Sequence, residues 1–299
     1  MPADPDAFEA HRAHLLRVGY RSTGSVVDAE DAVQDAWLRW SALSDDERAA
    51  VRDARAFLTT TVARLCLDRL RSAVARRERY VGPWLPEPLI TTGPDDPLAA
   101  VVEDEGVRMA AMVVLERLTP PQRVALVLHE ALDLPYAAIA EVLGSTEATA
   151  RQHAARARKI VAEAAPPRPS DDAEQIAVLA AFATALASGD HAAMVALLHP
   201  DAVLLADGGG TVKAARRPVV GADKIARLLL ALFDMYELET AEWTPLLVNG
   251  AAGVRTPATD AAPETVTSFA LTDGRISAIY QVVSPEKLGP GKLRRSPGR

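Results

Sequence analysis

Only one of the 299 residues is cysteine, so Cys66 has no partner for an internal disulfide, and without a Cys/His cluster neither a zinc finger nor an iron–sulfur site is expected. Aromatic residues make up only 5% of the chain. No stretch reaches the ~20 apolar residues of a membrane helix, and the acidic N-terminus MPADPDAFEAHRAH lacks the apolar segment of a signal peptide. A cytoplasmic protein without membrane contact is expected. Nor is there an excess of positive charge: 40 acids against 33 Lys and Arg give a net charge of -7, so any contact with a polyanion must be local. Hydrophobic residues at 49% and charged ones at 24% are ordinary globular values. At roughly 100–200 residues per domain, the length implies two or three domains.

Helical periodicity dominates residues 7–80 and returns from 104 to 164. Gly82, Pro83, Pro86, Pro88, Gly93, Pro94 and Pro97 interrupt it, and Pro166, Pro167 and Pro169 end it, because proline fixes φ and removes a donor. After Ser170 the pattern changes to two helices, a β-type run near 202–207, a helix near 222–233, another β-type run at 236–243, and then short strands. Among these, Asp273-Gly274 is a hairpin signal. The tail GPGKLRRSPGR has no pattern and is expected to be disordered.

Basic charge is concentrated in two helical segments. Residues 64–79 carry Arg64, Arg69, Arg71, Arg76, Arg77 and Arg79 against Asp68 and Glu78, and residues 148–162 carry Arg151, Arg156, Arg158 and Lys159 with no acid. Each nets +4. Either alone reads equally well as a solvated face. The second lies within PYAAIAEVLGSTEATARQHAARAR. There Tyr136, Ile139, Ala140 and Leu143 form an apolar stripe, Gly144 ends one helix and Thr146 caps the next. This is a helix-turn-helix pattern, and it places Glu147, Ala148, Arg151, Gln152, Ala155 and Arg158 outward. Arg and Gln suit bidentate pairing to guanine and adenine, and Glu147 can accept from cytosine.

Nearer the N-terminus, Asp28 is expected to cap a helix with Val33, Ala36, Trp37 and Trp40 inward and Asp31, Gln34, Asp35 and Leu38 outward. An acidic row with one exposed leucine suits a basic partner helix. Residues 54–79 read as a long helix with Val62, Leu65, Cys66, Leu70 and Ala73 inward.

LLRVGYRSTGSVVDAEDAVQDAWLRW followed by FLTTTVARLCLDRLRSA resembles region 2 of an extracytoplasmic-function (ECF) sigma factor. LERLTPPQRVALVLHEALDLPYAAIAEVLGSTEATARQHAARARK resembles region 4. WLPEP at 84–88, DGGG at 207–210 and SPEKL at 284–288 are similar to the signatures of the ECF group with a fused C-terminal SnoaL-like, NTF2-like domain. Departures are Ala150 and His153, where the family has valine and an apolar residue, and Ser284 and Glu286 within SPEKL.

The resemblance implies two all-α sigma domains followed by an α+β NTF2-like cone: region 2 at 1–82, a linker at 83–103, region 4 at 104–165, the SnoaL-like domain at 166–289 and a basic tail at 290–299. It implies core RNA polymerase as partner, through the β′ clamp helices and the β flap, together with promoter DNA. Asp31, Gln34, Asp35 and Leu38 become candidates for core binding. Glu147, Arg151, Gln152, Arg156, Arg158 and Lys159 become candidates for the -35 element, and Arg64, Arg69, Arg71 and Arg76 for the -10 element. The loop 42–53, with Asp45, Asp46 and Glu47, matches the part that captures a flipped -10 base. Regulation in cis is assigned to Trp84, Leu85, Pro86, Glu87 and Pro88 docking on Asp207, Gly208, Gly209, Gly210, Pro285, Lys287 and Leu288, with the glycines admitting the Trp84 ring.

No cofactor, metal or catalytic residue is assigned. His191, His199, Asp201 and Asp207 would be the acids or bases of an enzyme, but no paired constellation appears. His199-Pro200-Asp201 reads as a turn and Asp190 as an N-cap. His11 and His14 lack a third metal ligand, and the fold leaves a small ligand in the cone open. The alternative is a ligand-responsive DNA-binding regulator, or a SnoaL-type enzyme fused to a helix-turn-helix, acting without polymerase. Region 2 separates the two readings, because a repressor has no need of residues 28–79.

Overall fold

The computed structural model describes residues 5–77, 80, 82–91, 98–102, 105–130, 132–164 and 172–288. The chain divides into two compact units. One comprises Met1–Glu78, Ala100–Val107 and Ala111–Pro166; the other comprises Arg79–Ala99, Arg108–Ala110 and Pro167–Arg299. The expected tail at 290–299 lies outside the described residues.

The first unit is helical. It begins with α1 (Pro5–Thr23), α2 (Val26–Ser41), α3 (Asp45–Ala50) and α4 (Ala54–Arg77). Ser25, not Asp28, caps α2: its extended backbone lets its hydroxyl accept from the Asp28 N–H at 3.2 Å. Asp28 instead lies in the first turn, where a carboxylate faces the positive helix end. The expected loop at 42–53 holds α3, started by a capping box in which Ser44 and Glu47 satisfy each other's backbone N–H groups. Helices α1, α2 and α4 pack together around Leu15, Ala32, Val62 and Cys66, all fully buried. Gly19 permits the α1–α2 crossing, since a Cβ there would lie 2.8 Å from the Cβ of Ala29.

After α5 (Ala99–Val102) and a 3-10 turn at Glu105–Val107 come α6 (Met109–Leu115), α7 (Pro120–Glu130), α8 (Tyr136–Leu143) and α9 (Glu147–Ala164). Gly144 takes the left-handed conformation (φ 61°, ψ 43°) expected of it, and Thr146 caps α9 by accepting from the Thr149 N–H at 3.2 Å. Buried Ala150, Ala154 and Ala157 let α9 approach α7 and α8 closely. Helix α4 also meets α7 and α8, and α7 meets α1. Between α7 and α1, Arg123 is 1% exposed; its Nε donates to the Arg21 carbonyl at 2.9 Å and its Nη1 pairs with Glu116.

The second unit is α+β, with the element order anticipated for an NTF2-like cone. It contains β1 (Ile90–Thr91), α10 (Asp172–Ala187), α11 (His191–Leu197), β2 (Leu198–Asp207), β3 (Val219–Val220), α12 (Ala222–Met235), β4 (Thr244–Val248), β5 (Ala251–Thr256), β6 (Thr265–Thr272), β7 (Arg275–Val282) and α13 (Pro285–Leu288). The sheet order is β1-β4-β5-β6-β7-β2-β3, antiparallel except where β2 runs parallel to β7. Alternation puts Ala202, Leu204 and Ala206 of β2 into a core with Met194, Ile225 and Ile279, and turns Val203, Leu205 and Asp207 to the opposite face.

Asp190 caps α11, accepting from the Ala193 N–H at 2.9 Å. Asp273-Gly274 joins β6 to β7 with φ of 49° and 70°, as its composition requires. Two expectations are corrected. Residues 236–243 form no strand: α12 runs to Met235, Glu237 turns left-handed (φ 49°), and Leu238–Thr240 is a 3-10 turn. Trp243 closes this corner by packing its ring at a tilt against Phe233 (6.2 Å between ring centroids) and donating Nε1–H to the Leu238 carbonyl at 3.0 Å. His199-Pro200-Asp201 is not a turn before the strand. It lies inside β2, where the register against β7 shifts between Leu198 and Val203.

Candidate functional site

The outer face of α2 carries an acidic row around an apolar side chain. Asp31, Gln34 and Leu38 are exposed and Asp35 is half-buried, while Val33, Ala36 and Trp40 face the core. Leu38, one turn beyond Asp35 at the end of this row, is 59% exposed. Arg69 of α4 reaches this row, with Nη2 2.9 Å from Asp35 and Nη1 3.3 Å from Asp31 and 3.7 Å from Asp28. Arg69 is one of the -10 candidates, and spacing along α4 does not show that its side chain crosses to α2.

Of the other -10 candidates, Arg64 is exposed and donates to the Glu141 carbonyl of α8 at 3.3 Å. Arg71 is exposed beside Asp68 at 3.5 Å. The side chain of Arg76 lies outside the described residues. Beneath this face, burial pushes the Cys66 thiol up to about 12 and keeps it protonated.

Glu147, Arg151, Gln152, Arg156, Arg158 and Lys159 are all exposed along α9. They are not equivalent. Arg151 pairs with Glu147 at 2.7 Å and sits 5.1 Å above the Tyr136 ring. Arg158 is tied to Glu130 at 2.8 Å and to the Tyr136 hydroxyl at 3.3 Å, so it also ties α9 to α7 and α8.

In the second unit, the segment after Tyr80 is held against the end of β2. Asp207, fully buried, accepts from the Leu85 N–H at 2.7 Å, the Gly209 N–H at 3.0 Å, Lys287 Nζ at 2.6 Å and the Tyr80 hydroxyl. Four donors satisfy the carboxylate without solvent. Burial, reinforced by that hydrogen bond to Asp207, pushes the Tyr80 phenol well up. Lys287 Nζ also donates to the Leu85 carbonyl and stands 3.8 Å from the centroid of the Trp84 ring. Further along, Leu89 exchanges two hydrogen bonds with Asn249, and β1 adds an edge strand beside β4.

The glycines of DGGG do not admit the Trp84 ring as expected. A Cβ at Gly209 would lie 2.5 Å from the Ser284 hydroxyl, and one at Gly208 would lie 2.2 Å from the Val212 carbonyl. Their smallness brings SPEKL and the following loop close to β2, and the ring is met by an ammonium instead. Pro86, Glu87 and Pro88 are buried with Leu85, and Leu288 closes α13 with its side chain buried. Asn249 was missed, although Asn249-Gly250 is as strong a hairpin signal as Asp273-Gly274 and takes the same paired positive φ (54° and 72°).

The residues considered for acid–base chemistry are dispersed. His191 sits 3.3 Å from Asp223. His199 accepts from the Asp201 N–H at 3.2 Å, and Asp207 is committed to the linker. Among the described residues no three His, Cys, Asp or Glu side chains gather as a metal site, and no helix is long and apolar enough to cross a membrane.

Residues 7–76 match the family model of Sigma-70 region 2, and residues 108–161 match that of Sigma-70, region 4. The ECF RNA polymerase sigma factor SigJ of Mycobacterium tuberculosis (strain H37Rv) is 47% identical, over 97% of this chain and 95% of that protein. The probable ECF RNA polymerase sigma factor SigI of M. tuberculosis (strain CDC 1551) is 33% identical, over 95% and 94% respectively. The crystal structure of M. tuberculosis SigJ has a TM-score of 0.80 at 44% identity and covers 95% of this chain and 98% of that one. Both sigma regions in one chain, with relatives similar along nearly their whole length, favour a polymerase subunit over a DNA-binding regulator that acts alone. The chain belongs to the extracytoplasmic-function sigma factors of RNA polymerase.

Proposed function

We propose that the outer face of α2, with Asp31, Gln34, Asp35 and Leu38, docks on the β′ clamp helices of core polymerase, and that α9 reads the -35 element while its unit also engages the β flap. Arg151 and Gln152 are the base readers. Arg156, Arg158 and Lys159 supply phosphate affinity. Arg64 and Arg71 act on the melted -10 strand, with Arg76 as the further candidate from the sequence. The C-terminal unit regulates this work in cis by gripping residues 80–91 through Asp207, Lys287 and Asn249, and no catalytic role is assigned to it. The setting is the cytoplasm, where core polymerase works.

The observation that carries the reading is Leu38, a large apolar side chain 59% exposed at the end of a carboxylate row. Such a row attracts a basic surface from a distance, and the leucine adds short-range burial on arrival. Asp31→Arg with Asp35→Arg inverts the charge and leaves the buried Trp40 untouched. Core affinity measured by equilibrium binding should fall at least about tenfold, with the helical CD spectrum intact. Unchanged affinity would reject this face.

A further inference from the structure

We infer that Arg69 is a positioning residue of the polymerase-docking face, which fixes Asp31 and Asp35 for a basic partner and does not itself touch DNA; this rests on the proposed role of α2. Asp28, Asp31 and Asp35 lie on one side of α2 at spacings of three and four residues. Like charges at those spacings repel, and without a counter-ion the carboxylates would splay. The Arg69 guanidinium answers all three, contacting Asp28, Asp31 and Asp35 at 3.7, 3.3 and 2.9 Å. A planar fork spans such a row, whereas a lysine ammonium is a point charge.

The burial order shows which side the guanidinium occupies. The Arg69 side chain is 26% exposed, against 53% for Asp31 and 45% for Asp35. Its hydrogen bonds go to one oxygen, Oδ2, of Asp31 and of Asp35. A carboxylate has about four acceptor positions. Each aspartate therefore keeps acceptor capacity for a partner, and docking need not break the internal pairs. A side chain so engaged is poorly placed to grip a DNA phosphate, unlike the exposed Arg64 and Arg71. Beneath the row, burial raises the Cys66 thiol to about 12, so it adds no charge of its own.

The test compares full-length wild type, Arg69→Gln, Arg69→Lys, Asp35→Asn, Arg69→Gln/Asp35→Asn and Asp31→Arg/Asp35→Arg for core binding, then for open-complex formation at saturating core. Arg69→Gln should weaken core binding by about three- to tenfold, with Arg69→Lys only partly restoring it. Arg69→Gln should lose less when Asp35 is already asparagine, a coupling that a general loss of fold would not produce. Once core is saturated, open-complex yield should equal wild type. Tighter binding by Arg69→Gln would make Arg69 a competitor of the partner and overturn the inference. So would unchanged affinity with fewer open complexes, the signature of a DNA contact. If Asp31→Arg/Asp35→Arg leaves core affinity unchanged, the docking face itself is wrong; if only the Arg69 variants do so, positioning alone fails.

Discussion

Lys287 sets its ammonium 2.6 Å from the fully buried carboxylate of Asp207 while standing over the Trp84 ring, so one side chain links α13, the end of β2 and the segment before β1. A buried pair of this kind is fixed less by its own net strength than by the cost of orphaning either member.

Asp207→Ala takes the counter-charge from the Lys287 ammonium and leaves the Leu85 N–H without its acceptor. It should destabilise the C-terminal unit by about 3–5 kcal/mol, read from denaturant unfolding. Lys287→Met, which keeps a stem of similar length but no charge, should release residues 80–91 to limited proteolysis while helical content stays constant. Protease resistance equal to wild type in both variants would contradict this clamp.

The DNA-facing helix predicts an ordered set of losses. Arg151→Ala should cost about 1–3 kcal/mol on the preferred -35 sequence and less on others, as for a bidentate base contact. Arg156→Ala should weaken all sequences alike and lower the salt slope by about 1. Arg158→Ala removes the tie to Glu130 and Tyr136, so a slight fall in thermal stability should accompany its loss of DNA affinity. Equal losses for Arg151→Ala on every -35 variant would remove it as a base reader.

Acid sensitivity follows from His14. Burial, aided by Arg55 and Arg17, lowers its pKa from 6.5 to about 4, and its ring contacts Thr59 at 3.0 Å. Between those values the unfolded chain holds a proton that the native chain refuses, so stability falls as pH drops through that window and levels off below it. His14→Gln should lose this acid-side slope, measured as unfolding midpoints from pH 7 to pH 4. A pH-independent difference between the two chains would exclude His14 as the source.

What could be read from sequence was what neighbours along the chain decide. Gly144 and Asp273-Gly274 follow from backbone sterics alone, and Asp190 and Thr146 from the orphan donors at a helix start. Ser25 and the Ser44/Glu47 capping box carry equally local signals, at positions where an Asp28 cap and a loop are expected. The run at 236–243 misleads because Tyr236 and Trp243 have strand propensity, while the chain there is set by a left-handed Glu237 and a tilted ring contact of Trp243 with Phe233. Arg69 and Lys287 are both named from the sequence, but the side chains they meet were illegible for another reason. Their partners lie 34–41 and 80 residues away, and which face of one helix meets another is a property of packing that no spacing rule contains.

Run-off transcription with purified core polymerase bears most directly on the assigned role. Templates carrying a selected promoter, or that promoter with an altered -35 element, would be transcribed by core alone, by core with the full chain, and by core with Asp31→Arg/Asp35→Arg. The full chain should give transcripts that depend on the -35 sequence, and the double variant should give few at concentrations where wild type is saturating. Equal yields from core alone, or from the double variant, would contradict a specificity subunit that docks through α2.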